Sequence, residues 1–314
     1  MSSTKCRTSP SPNLKSAGII GKPDLEELPA SDPPTTPFDS ALREPSGLED
    51  LRDFPFSMGE VFQNAEAVRS FPAGYFRKMK RIRRDAIDFR NRYIIPNIEE
   101  IERKATADPG YFSRELFDRG LEYRFPTLII PEGFGGPGYL SCHIGIMCEE
   151  LAVGSGGFAT TIAVNMAQLV TLFDMHLFGV YCRESLEAEK RGETFIWSGA
   201  VTEPNAGTDR WDEDFQNRTR ADMVARKVEG GYVLNGTKCF TSNGSVAQRT
   251  AMSAALDPKD PAGSGCFFVV PTDSPGFSVG RVERKMGQKA SVTSEQICED
   301  VFVPDSHRVG PEGI

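Results

Sequence analysis

The hydrophobic pattern changes its period once, near Phe195, and that change limits what the chain can fold into. Before it, apolar residues recur at helical spacing. Met79, Ile82, Ala86, Phe89 and Tyr93 follow one another at steps of three or four, which puts them on one face of a helix. After it come short β-branched or aromatic segments, at 223–229, 232–236, 238–242, 250–256, 266–272, 277–283 and 295–304. A run of helices followed by a run of strands defines an α+β chain: an all-α N-terminal domain, then an antiparallel β-barrel or sandwich domain.

Local signals fill in this outline. Lys78, Arg81, Arg84 and Arg90 occupy the other face of the first helix; a basic face of this kind is either solvated or phosphate-binding, and the solvated reading is the simpler. Asp108-Pro109 reads as a cap with a first-turn proline and Gly120 as a stop, bracketing a short helix around Leu116 and Phe117. Further helices are expected over 141–152, 157–172 and 185–191. Gly230-Gly231 reads as a tight hairpin turn. The glycines of 125–138 lack both the strand–GxGxxG–helix context and a GKS/T sequence, so neither a Rossmann nor a P-loop reading holds.

Composition excludes several function classes. With 39% hydrophobic and 25% charged residues the chain is an ordinary globular one, and its net charge of −8 argues against nucleic acid or an anionic membrane as partner. No apolar run reaches the roughly 20 residues of a membrane span. The seven cysteines lie apart with no CxxC pair, as expected of small apolar residues in a reducing compartment. The three histidines are scattered without clustered acids, so no metal site is expected. Residues 1–57 hold nine of the 22 prolines among Ser, Thr and acids, a composition expected to stay disordered. The first 23 residues are basic and acid-free, but sparse arginine and Pro10 and Pro12 speak against a transit peptide.

Three blocks carry the chemistry. Residues 201–209 read VTEPNAGTD, a polar turn after an apolar strand, whose Pro204, Asn205 and Gly207 bend the backbone so that N–H groups face one side. Residues 232–244 read YVLNGTKCFTSNG, and residues 285–304 read KMGQKASVTSEQICEDVFVP. In this order and spacing the blocks resemble those of the acyl-CoA dehydrogenase family of flavoproteins, over residues 75–310.

The resemblance implies two of the family's domains, a helical one over 58–194 and a middle β domain over 195–314. It implies FAD as cofactor, an acyl-CoA as substrate, α,β-dehydrogenation of the thioester with hydride transfer to flavin N5, electron-transfer flavoprotein as acceptor, and a homo-oligomer in the cytoplasm or mitochondrial matrix. The flavin ring edge falls to Val201, Thr202 and the turn through Gly207. Thr208 stands where relatives commonly carry serine, against flavin and thioester. Phe240 takes the place of a stacking tryptophan, with Thr241 beside it, and Ser242 that of the threonine bonded to N5. Residues 240 and 242 share a side of a strand. The alternatives are that Thr202 and Thr208 only close their own turn, and that Phe240 packs in a core. Lys285 and Lys289 are candidate partners for CoA phosphates. The family's glutamate base and last helical domain would lie beyond Ile314, so the chain is expected to be truncated and inactive alone, with the catalytic residue unassigned. An acyl-CoA oxidase or flavin monooxygenase of the same fold, or a non-catalytic binding or oligomerisation remnant, are the competing readings.

Overall fold

The computed structural model describes residues 74–170, 175–207 and 220–310. The proline-rich extension, Thr208 and Trp211 lie outside them. All described residues belong to one of the chain's two compact units.

The first helix, α1 (Tyr75–Phe89), buries Met79, Ile82, Ala86 and Phe89 of the stripe read from the sequence and adds Phe76, while Tyr93, the stripe's last member, lies past its end and is half-buried. It continues through a single wide turn at Arg90–Ile94 and a short 3₁₀ turn at Ile95–Asn97 into α2 (Ile98–Ala107), a helix the sequence reading missed. The basic face of α1 is only partly solvated. Arg83 and Arg90 both reach Glu150 at 2.7 Å, and Lys78 donates to Glu132 at 2.7 Å and to the Gly138 carbonyl at 2.9 Å.

Helix α3 runs Arg114–Glu122, which corrects both expected boundaries. Asp108 ends α2 instead of capping α3, and its carboxylate accepts the Gly110 N–H at 2.9 Å, closing an Asx turn. Gly120 is not a stop but a buried position inside the helix, facing Phe125 and Phe158. In the following loop Gly136 is obligatory, because a Cβ there would collide with the Ile130 carbonyl. Helices α4 (Ser141–Gly154) and α5 (Gly156–Val170) follow, and α6 (Met175–Lys190) begins ten residues before the expected start at Ser185. Phe89 gathers the core of this part, stacked on Phe158 with centroids 5.5 Å apart and in edge contact with Tyr123 and Phe125.

Eight strands then form one sheet: β1 (Trp197–Ala200), β2 (Val224–Val228), β3 (Gly231–Ser242), β4 (Arg249–Ala255), β5 (Gly265–Pro271), β6 (Phe277–Val282), β7 (Thr293–Pro304) and β8 (Arg308–Val309). The order is β6-β7-β3-β2-β4-β5-β8, with β1 lying against β4. Most neighbours are antiparallel, but β1 pairs with β4 in parallel and β2 touches β4 in parallel at one register position, so the sheet is mixed. The β2–β3 hairpin pairs Val228 with Gly231, so its turn is Glu229-Gly230, one residue earlier than expected, with Gly230 at φ +75°. One face buries Met223, Leu234, Met252, Phe268, Val301 and Val303. The other, at Trp197 and Val269, packs on Tyr181 and Leu186 of α6.

Candidate functional site

Two of the three sequence blocks meet through the main chain. β1 ends at Ala200 and delivers the 201–207 turn alongside β3, where the Cys239 N–H donates to the Thr202 carbonyl at 2.8 Å. Side chains lock the contact. The Lys238 ammonium, fully buried, donates to Glu203 Oε1 at 2.6 Å, to Ser253 Oγ at 2.9 Å and to the Val201 carbonyl at 3.1 Å. Glu203 Oε2 accepts the Asp222 N–H at 2.6 Å, and Asn205 donates to the Asp222 carboxylate at 3.0 Å. The turn itself closes by the Glu203 N–H donating to the Ala206 carbonyl at 2.7 Å.

The strand opposite is irregular where the chemistry was expected. The β3–β7 register shifts between Lys238 and Thr241, and Phe240 adopts φ +54°. This bulge leaves Phe240 58% exposed between buried Cys239 and buried Thr241, with Ser242 half-buried. Phe240 is therefore not a core residue. Thr241 faces inward at 1% exposure and its hydroxyl has no partner, so only its main chain is on the side of Phe240. Beyond the bulge Asn243, at φ +63°, donates from Nδ2 to the Thr161 carbonyl at 3.0 Å and the Trp197 carbonyl at 3.2 Å, fixing β3 to α5 and β1.

The third block joins through pairing. Thr241 and Ser242 pair with Ser294 and Thr293 of β7, and Gln296 donates to Ser198 Oγ at 3.2 Å and to the Gly244 carbonyl at 3.0 Å. Val201, Thr202, Gly207, Phe240, Thr241 and Ser242 thus belong to one region, with Val201, Thr202 and Gly207 all half-buried. Lys285 and Lys289 do not join it as free cations. Lys289 donates to Thr106 Oγ1 at 3.1 Å, and Lys285 to the Ser291 carbonyl, where burial lowers its pKa.

The buried carboxylates are committed. Glu150, Glu184 and Glu203 are each paired with Arg or Lys, so among the described residues no buried glutamate is left to act as a base. Burial pushes the thiols of Cys182 and Cys298 up to about 12 and that of Cys148 to about 11, which keeps these three protonated. No group of three His, Cys, Asp or Glu suited to a metal occurs among the described residues, and none of the described helices is long and apolar enough to cross a membrane.

Lys238 is the site residue that sequence reasoning missed. A lysine inside a strand reads as solvent-facing, and the signal that identifies it is the acid–base pair formed between two motif blocks, Glu203 in the first and Lys238 in the second.

Comparison with known proteins agrees with this architecture. The sequence profile of the acyl-CoA dehydrogenase N-terminal domain matches residues 77–179, and that of the middle domain matches residues 198–301. The chain belongs to the acyl-CoA dehydrogenase family. It is 30% identical over 253 residues to acryloyl-CoA reductase (NADH) of Anaerotignum propionicum, covering 79% of this chain and 60% of that protein. The structure of butyryl-CoA dehydrogenase from Megasphaera elsdenii superposes with a TM-score of 0.62 at 27% identity, over 75% of this chain and 59% of that one. A glutaryl-CoA dehydrogenase of Mycobacterium smegmatis, in complex with FADH2, gives 0.61 at 25% identity, over 75% and 56%. The chain therefore spans a little under three-fifths to three-fifths of the length of these relatives.

Proposed function

We propose that the region joining the 201–207 turn to the bulge at Phe240 is the flavin seat of an FAD-dependent acyl-CoA dehydrogenase. The observation that carries this reading is the hydrogen bond from the Cys239 N–H to the Thr202 carbonyl, which brings the turn and the bulge into one surface. The donor set fits the group. Both carbonyls of Val201 and Thr202 are taken by the protein, while the Thr202 hydroxyl has no partner among the described residues. What the turn leaves for a ligand is the Thr202 hydroxyl, which can donate to the acceptor edge of an isoalloxazine. Phe240 offers an exposed aromatic face for ring stacking, and Ser242, two residues on and half-buried, a hydroxyl.

FAD, when bound, accepts the hydride from an acyl-CoA. The chain's own residues would hold the ring edge through Thr202 and the turn, cover one ring face with Phe240, and supply the Ser242 hydroxyl for N5. Glu203 takes no part in proton abstraction, because both its oxygens are engaged inside the turn. Electron-transfer flavoprotein as acceptor, a homo-oligomeric assembly, and a helical domain over 58–194 followed by a β domain over 195–314 complete the reading.

The test is a titration of the purified chain with FAD, followed by flavin fluorescence, in parallel with Phe240→Ala and Ser242→Ala. Binding is expected to weaken in both variants, Ser242→Ala by about 0.5–1.5 kcal/mol for one neutral hydrogen bond. Equal binding by all three proteins would remove these residues from the seat.

A further inference from the structure

We infer that Lys238 is a positioning residue that sets the polarity of this seat, by drawing the Val201 carbonyl inward and so keeping an acceptor off the ligand's side of the turn. The inference rests on the flavin seat proposed above. Lys238 and Glu203 both have side chains with no solvent exposure, and the three ammonium protons are matched by three acceptors, Glu203 Oε1, Ser253 Oγ and the Val201 carbonyl. Stability alone does not call for such a pair, because a buried ion pair replaced by apolar groups of similar volume is often no less stable. What the pair does here is geometric. It holds one main-chain oxygen of the Val201-Thr202 dipeptide from inside the protein, while the Cys239 N–H holds the other.

The consequence falls on the ligand. A carbonyl turned outward would face the acceptor edge of the ring and repel it, more strongly once reduction adds negative charge there. With both carbonyls drawn inward, the seat suits the reduced ring better than the oxidised one. Lys238 acts on the ligand only through the backbone, since its own side chain is sealed from the surface.

The charge-free pair Glu203→Gln with Lys238→Met tests this without leaving a lone buried charge. Three quantities are read on the full chain: melting temperature, FAD affinity from flavin fluorescence, and the midpoint potential of the bound flavin. The double variant is expected to melt within a few degrees of wild type, to bind FAD at least tenfold more weakly, and to lose a further factor of about ten in preference for the reduced form, a fall of about 30 mV. Should it not fold, Glu203→Gln with Lys238→Leu removes the same donor with a side chain of different shape and is read the same way. A folded double variant whose affinity lies within twofold of wild type and whose potential is unchanged overturns the inference and leaves the seat standing. Failure of the wild-type chain to bind FAD overturns the seat, and this inference with it.

Discussion

Phe240 combines two features that rarely occur together in a strand: a large exposed aromatic side chain and a left-handed backbone at φ +54°. For a residue with a Cβ that conformation costs roughly 1–2 kcal/mol, and the ring recovers little of it by burial. Phe240→Gly removes the strain, while the extra freedom of glycine in the unfolded chain returns about 0.5–1 kcal/mol of the gain. Stability is therefore expected to stay within about 1 kcal/mol of wild type while FAD affinity falls. Urea denaturation and flavin titration on one preparation check both halves, and a loss of several kcal/mol would show that the ring is needed by the fold. Asn243 is the contrasting case three residues on. It is also left-handed, but fully buried, and it holds two carbonyls at 3.0 and 3.2 Å. Asn243→Ala is expected to cost about 2–4 kcal/mol, from two lost hydrogen bonds, two carbonyls left short of a partner, and a conformation alanine tolerates less well. A denaturant midpoint close to wild type would contradict that.

At the scale of elements, α5 passes close to the loop before β7. Gly157 lies in the first turn of α5, and a Cβ there would sit 2.9 Å from the Ser291 nitrogen and 3.0 Å from the Ala290 Cβ. Gly145, inside α4, is exposed and would have no neighbour within 4 Å. The same substitution should therefore have opposite signs. Gly145→Ala is expected to stabilise by up to about 1 kcal/mol through helix propensity, and Gly157→Ala to destabilise by about 1–2 kcal/mol because overpacking exceeds that gain. Chemical denaturation of the two variants decides it; stabilisation by both would mean that the loop gives way freely. This contact also marks a limit of sequence reading. The stripe of α1 and the strands after Phe195 were legible because each needs only its own periodicity. The parallel pairing of β1 with β4 was not, since it brings together strands separated in sequence by β2 and β3 and leaves no local pattern in either. The early start of α6 was hidden too, because MHLFGVYC is nearly uniformly apolar and shows no amphipathic period.

Over the whole molecule, the order and spacing of motif blocks far apart in the chain made the family legible, and the turn and the bulge do adjoin. The device between them was not legible, because burial of a lysine follows from tertiary packing and not from local pattern. The same holds for two histidines, one on a helix and one beside the last strand. His143 ties α4 to α1, accepting the Leu140 N–H at Nδ1, 3.0 Å away, and donating from Nε2 to the Tyr75 carbonyl at 2.9 Å. His307 lies between β7 and β8, with its ring nitrogen 3.2 Å from the Val269 carbonyl. Burial lowers the pKa of both; the main-chain hydrogen bond opposes this in each, and Lys78 near His143 and Arg249 near His307 reinforce it. A histidine whose folded pKa lies below its unfolded value of about 6.5 is held neutral in the native state. Its contribution is complete above that pH and is lost as pH falls toward the folded pKa, where the unfolded chain binds protons that the native protein refuses. Stability is thus expected to decline from pH 7.5 to 5.5, before most carboxylates titrate. The double variant His143→Gln with His307→Gln should start from a lower stability, since it disturbs both contacts, but should show a shallower decline across the same interval. Urea midpoints for both proteins at the two pH values give the comparison, and an equal decline in the variant would assign the pH dependence to other groups.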